Sequence, residues 1–275
     1  MKLIALAAAS VTLVLAAPAA AATRHVVETA VDGSVRADFS FDYDARDYRF
    51  TNPHLTISRG GSVLLDAAVP APPDTEVQPA RYFAHKKSVA VHDLDGGGEP
   101  EVVLDLYSGG AHCCWYTQVY RYTASANAYL MVTHGWGNAG YRSVDLDHNG
   151  LPEFVSGDDR FAYVFTDFAD SSWPVQIWSY RSGRFIDVTR KHPALIRRDA
   201  RREWRWAFAT QRRAYNVGFL AAWTADQCLL RHCKSAFKQL GALRRQGRIG
   251  LGWDRTTRRY LVHLHKFLRR TGYLR

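Results

Sequence analysis

The chain is poor in sulfur and, over its last third, poor in acid. Of its 275 residues, only four are cysteine and two methionine. So few cysteines exclude a mini-scaffold in which cross-links replace a core. Beyond residue 17 no stretch is long and apolar enough to span a bilayer, which takes about 20 residues. The G-x-S-x-G turn, the H-E-x-x-H zinc helix and the glycine-rich phosphate loop are all missing, so the commonest sequence signatures of an enzyme are absent. The remainder is ordinary for a folding chain. It is 47% hydrophobic and 23% charged, and long enough for one large domain or two modest ones.

The shortage of acid is regional. Residues 23–189 carry 13 Lys and Arg against 22 Asp and Glu, a net −9. Residues 190–275 carry 22 against 4, a net +18, and these two blocks make up most of the overall +10. The chain is therefore an acidic part followed by a basic part, not a uniformly basic protein. Opposite signs make docking of one part on the other as natural a use for the arginines as an external polyanion.

Residues 1–22 read as a secretory signal peptide. Lys2 supplies the positive start, Leu3 to Ala17 the apolar run, Pro18 the break, and Ala19 to Ala22 the small residues that suit cleavage. Export near Ala22 implies a secreted or extracytoplasmic protein with no transmembrane span. In such a compartment Cys113, Cys114, Cys228 and Cys233 are disulfide candidates. Three pairings exist. Local pairing, Cys113 with Cys114 and Cys228 with Cys233, is favoured over crossed pairing.

Two segments 52 residues apart share one pattern. Asp93-Leu94-Asp95-Gly96-Gly97-Gly98-Glu99-Pro100-Glu101 is matched by Asp145-Leu146-Asp147-His148-Asn149-Gly150-Leu151-Pro152-Glu153. Both have Asp at positions 1 and 3, Gly at 6, Pro at 8 and Glu at 9. Carboxylates at alternate positions of a tight loop converge, and Gly permits the sharp turn. Oxygen ligands at this density suit Ca²⁺, which takes six to eight of them. Asp145, Asp147, Asn149 and Glu153 would ligate by side chain and Leu151 by its carbonyl. In the first loop the ligands would be Asp93, Asp95, Glu101 and the Glu99 carbonyl, with Gly97 offering no side chain at position 5. One or two ions follow. Plain Asp/Gly-rich turns without metal are the simpler alternative. No Glu stands at position 12, so these are not EF-hands.

The repeated loop resembles the calcium loop of FG-GAP/VCBS repeats, the blade units of integrin-like propellers, over roughly residues 86–190. The resemblance implies two small antiparallel sheets in which bound calcium mainly stiffens the fold. It also implies a secreted bacterial protein.

β-branched and aromatic residues predict strands over 101–107, 115–122, 161–168, 175–180 and 185–188. Val35–Phe41 alternates, and Arg59-Gly60-Gly61-Ser62 reads as a hairpin turn between 55–58 and 63–65. Two repeats cannot close a propeller ring, so this earlier segment must contribute to the β part. His112-Cys113-Cys114, in a Gly-rich turn before Trp115, is read first as a rigid connection. A ligand platform or a thiol site are the alternatives.

The basic region is helical by periodicity. Pro193 opens a helix with Ile196, Ala200, Trp204, Ala207 and Phe208 on one face. A second runs from near Tyr215, a third ends at Gly247 and a fourth at Gly272. A Cys228–Cys233 disulfide requires a break near Arg231-His232.

The expected fold class is α+β, in four segments: 1–22 leader, 23–85 N-terminal β, 86–190 two loop-bearing β repeats, and 191–275 basic helices. The expected function is a secreted, calcium-binding, non-enzymatic interaction protein. An acidic cell-surface polymer or protein partner would meet the basic helices, and no sequence-specific nucleic-acid motif is present. The rival reading is an extracellular hydrolase drawing its groups from the loops and His112, His134 or Asp158.

Overall fold

The computed structural model describes residues 23–73, 75–84, 86–110, 113–209 and 214–274. The leader 1–22, His112, Arg212 and Arg213 lie outside the described residues, as does the Cys113 side chain. Three antiparallel sheets precede the long helices, an α+β arrangement as expected.

The first sheet runs in order β1 (Arg24–Asp32), β2 (Val35–Asp44), β3 (Arg49–Arg59) and β4 (Ser62–Ala68). Val35, Ala37, Phe39, Phe41 and Tyr43 alternate inward along β2, the period-2 pattern of a half-buried strand. Gly60 (φ +56°) and Gly61 (φ +84°) make the β3–β4 turn. Two left-handed residues suit the right-handed twist of a hairpin.

The second sheet holds β5 (Gln78–Pro79), β6 (Val89–His92), β7 (Glu101–Gly110), β8 (Cys113–Thr123) and β9 (Ala128–Gly137), with a short helix α1 (Arg81–Ala84) between β5 and β6. The third is β10 (Arg142–Val144), β11 (Glu153–Gly157), β12 (Val175–Arg181) and β13 (Arg184–Asp187). Each Asp-rich loop links a short strand to its antiparallel neighbour. His92 lies opposite Glu101, and Val144 opposite Glu153.

Strand β7 is buried on both faces. Val102, Leu104 and Leu106 pack with Phe39, Phe41, Leu55 and Ile57 of the first sheet. Val103 points the other way, to Val119, Trp136, Phe154 and Tyr180 at the interface with the third sheet.

The helices α2 (Pro193–Ala209), α3 (Val217–Leu229), α4 (Cys233–Arg245) and α5 (Thr257–Arg270) follow the expected order. Asn216 caps α3, its side-chain oxygen accepting the Gly218 and Phe219 N–H groups. α3 is buried along nearly its whole length, so it forms the centre of the helical core. The Cys228–Cys233 disulfide joins α3 to α4, and the break falls at Arg231, which takes φ +67°. Left-handed Gly247 and Gly272 end α4 and α5. Among the described residues no helix is long and apolar enough to cross a membrane.

One expectation is corrected. Residues 161–168 form no strand but a 3₁₀ turn over Asp159–Phe161 and an irregular crossing. Phe161 and Phe165 are apolar because they plug the helical core, against Phe267 and Tyr260. On α2, Ile196, Ala200 and Ala207 are buried, and Trp204 and Phe208 lie on the same side against Tyr215, Trp204 half-buried and Phe208 exposed.

The helical part joins the β part through its rare acids. Asp199 accepts the Val175 N–H at 2.9 Å and Glu203 the Ser172 hydroxyl at 2.5 Å. Arg202 bridges both carboxylates, at 2.5 and 2.8 Å. Beside them Asp226 is 0% exposed. Burial, then the charges of Asp199 and Glu203, raise its pKa well above 3.8. The fold therefore keeps a proton that the unfolded chain releases, and stability falls as pH rises across that window. D226N, which cannot ionise, should melt about 2–4 °C higher than wild type at pH 8. It should also lose less stability between pH 5 and pH 8. Parallel pH profiles for the two proteins would show that this acid is not the cause.

Candidate metal centre

Position 1 organises each loop. Asp93 Oδ1 accepts the N–H groups of Gly96 (2.7 Å) and Gly97 (3.2 Å), and Oδ2 that of Gly98 (2.7 Å). Asp145 repeats this with Asn149 (3.1 Å) and Gly150 (2.9 Å). The backbones match as well. Positions 4 and 6 are left-handed in both loops: Gly96 (φ +77°) and Gly98 (φ +75°), then His148 (φ +59°) and Gly150 (φ +84°).

Position 9 closes the loop. Glu101 and Glu153 are 1% and 2% exposed. Each accepts the N–H of the position-2 leucine, Leu94 or Leu146, at 2.9 Å. A buried glutamate at the start of a strand thus reaches back to the loop's beginning. The result is two clusters, Asp93–Asp95–Glu101 and Asp145–Asp147–Glu153, each offering oxygens within 4.8 Å of one another. Burial, reinforced by Asp95 and Asp93, pushes Glu101 up to about 7. An all-oxygen donor set of this charge fits a hard cation and offers nothing to a soft one.

The loops differ in their surroundings. Arg121 Nε lies 3.6 Å from Asp95 and 3.5 Å from Glu101, so the first cluster already has a neighbouring cation. The Ser182 N–H donates to Asp95 at 2.9 Å, tying the β12–β13 turn onto that loop. Glu99 spends its carboxylate on Arg59 (2.6 and 2.9 Å), and its carbonyl is the oxygen the sequence pattern assigns to an ion. In the second loop the Asn149 side-chain oxygen accepts the Leu151 N–H at 2.8 Å, so it is engaged within the loop. The Leu151 side chain lies against Gly96, where a Cβ would sit 3.3 Å from it, so the loops abut.

His134 and Asp158, the described residues of the hydrolase reading, line one cleft of about 500 Å³ together with Asp159 and Asp187. Each is already committed. His134 stacks on Phe185 at 4.4 Å and meets Trp136 and Trp178 edge-on at 4.2 and 4.6 Å. Burial there pulls its pKa down to about 4. Asp158 takes Arg160 (2.6 Å) and the Tyr273 hydroxyl (2.8 Å) on the same oxygen, Oδ2. Asp159 accepts two bonds from Asn138, at 2.9 and 2.7 Å.

The residues around the clusters that sequence reasoning missed are Arg59, Arg121 and Ser182. They come from distant strands and turns, and no local pattern marks them.

No protein-family model and no solved structure matches the chain. Two curated proteins are similar to it. A probable thylakoid lumen protein of Synechocystis sp. is 35% identical over 91 residues, 33% of this chain and 27% of its own length. An uncharacterized protein of Sinorhizobium fredii is 29% identical over 186 residues, 65% of this chain and 28% of its own length. The chain thus spans little more than a quarter of the length of the curated relatives it matches.

Gly150 tests the loop geometry without altering a carboxylate. A side chain at its φ costs about 1 kcal/mol, so G150A should lower the melting temperature by about 2–4 °C. An unchanged melting temperature would mean the left-handed turn is not required.

Proposed function

We propose that the protein is an extracytoplasmic, calcium-binding, non-enzymatic interaction protein whose two loops stiffen the β part when loaded. The observation that carries this reading is the duplicated cluster, in which two Asp and one buried Glu converge on the same backbone twice. Three carboxylates so close repel one another, and a divalent cation turns that repulsion into attraction. Asp145, Asp147 and Glu153 would hold one ion with the Leu151 carbonyl. Asp93, Asp95 and Glu101 would hold another with the Glu99 carbonyl. Resemblance of the loops to FG-GAP/VCBS repeats supports calcium. The leader-like residues 1–22 support export, as does the similarity to a probable thylakoid lumen protein.

The hydrolase reading has less support. Its histidine ring is enclosed by Trp136, Trp178 and Phe185, and its aspartates are engaged by Arg160, Tyr273 and Asn138.

Melting of chelator-treated protein with and without calcium tests the proposal. At calcium about 100-fold above Kd each site adds about 2.7 kcal/mol, or about 5–10 °C. D145N/D147N should remove the larger share of that rise and D93N/D95N the smaller, because Arg121 already serves the first cluster. Asn in place of Asp also removes acceptors for loop N–H groups, so the rise with calcium within each variant, and not its melting temperature in chelator, is the readout. No calcium-dependent rise in wild type would overturn the proposal.

A further inference from the structure

A cavity of about 650 Å³ opens between α2, α3 and α4, remote in sequence from the loops. It lies within the range of small-ligand sites, about 300–1,000 Å³. Arg197, Arg201 and Arg205 line it, recurring every fourth residue of α2. That spacing sets them in one stripe spanning about 12 Å along the helix.

All three arginines are exposed, and no guanidinium among them pairs or hydrogen-bonds with a described residue. Their neighbour Arg202, on the other face of α2, is the one that serves Asp199 and Glu203. None of the cavity's lining residues is acidic. Its floor is aromatic, with the Trp204 and Trp223 rings 4.7 Å apart and tilted by 50°. Gln227 and Gln239 add side-chain amides that both donate and accept.

We propose that this groove binds an acidic glycan, a chain of sugar rings bearing carboxylates. Arginine forks match carboxylates in two-pronged fashion. Glutamine amides suit hydroxyl groups, and the half-buried Trp204 indole, backed by the buried Trp223, offers an apolar wall for one sugar ring. The four-residue repeat offers successive cations about 6 Å apart, so a ligand with repeated anions gains from several at once. Single-stranded nucleic acid fits less well, because successive bases stack on open aromatic faces. Here Trp223 is 6% exposed and the two rings are not parallel. The inference does not depend on calcium, and its test can be run in chelator as well as in calcium.

The experiment is calorimetric titration of the full chain with an oligogalacturonide, at low and at physiological salt. The methyl-esterified oligomer and an oligo-dT of equal charge serve as comparison ligands. Saturable binding that weakens with salt is expected, with the ester and oligo-dT weaker. R197Q/R201Q/R205Q should weaken it by about tenfold or more. R258Q/R259Q/R269Q removes as many charges from α5 and should leave it within about twofold. Circular dichroism of both variants checks that they fold.

Absent binding, equal binding of the ester, tighter binding of oligo-dT, or equal weakening by the two variants would overturn the proposal. Glycan binding retained in a protein that takes up no calcium would overturn only the function proposed above.

Discussion

Six carboxylates gathered into two clusters are the constraint around which the β part is arranged. Each cluster sets charges of one sign within 4.8 Å of one another, and in each the glutamate is almost wholly buried. Backbone N–H groups offset part of that charge, which is why the loops turn so sharply at glycine. Asp93 and Asp145 gather these donors, and Glu101 and Glu153 lock the loop start to the strand that follows. Strand pairing, the Ser182 contact and the abutting Leu151 then fix the second sheet to the third. A divalent ion is the natural complement to what remains uncompensated.

The second organising feature is how the helical part uses its few acids. Asp199, Glu203 and Asp226 are buried at the junction with the β part, around Arg202. Carboxylates on the basic side carry much of the polar docking, beside the Tyr273–Asp158 bond and the Phe161 and Phe165 rings that enter the helical core. The overall +10 is spread very unevenly along the chain. The stripe of α2 that the junction does not use stays cationic, above an aromatic floor.

Much of this was legible in the sequence, for physical reasons that can be named. The duplicated Asp–Gly–Glu pattern marked both loops, because left-handed turns and converging carboxylates need those residue types at those positions. Gly60-Gly61, Gly247 and Gly272 marked a hairpin and two helix ends. The Cys228–Cys233 spacing demanded the break that Arg231 makes. Residues 161–168 misled because aromatic richness signals a half-buried strand and a core-plugging turn equally well. β1 and β9 were missed, since much of their surface faces solvent and their alternation is weak. The partners of the clusters, Arg59, Arg121 and Ser182, were not legible at all. Only the pairing of strands far apart in the chain brings them there.

The stoichiometry of calcium on chelator-stripped protein tests this account most directly, by native mass spectrometry or calorimetric titration. Two ions per chain are expected at saturation, the tighter one lost with D145N/D147N and the weaker with D93N/D95N. A chain that takes up no calcium, or takes it up equally in the two variants and in wild type, would contradict it.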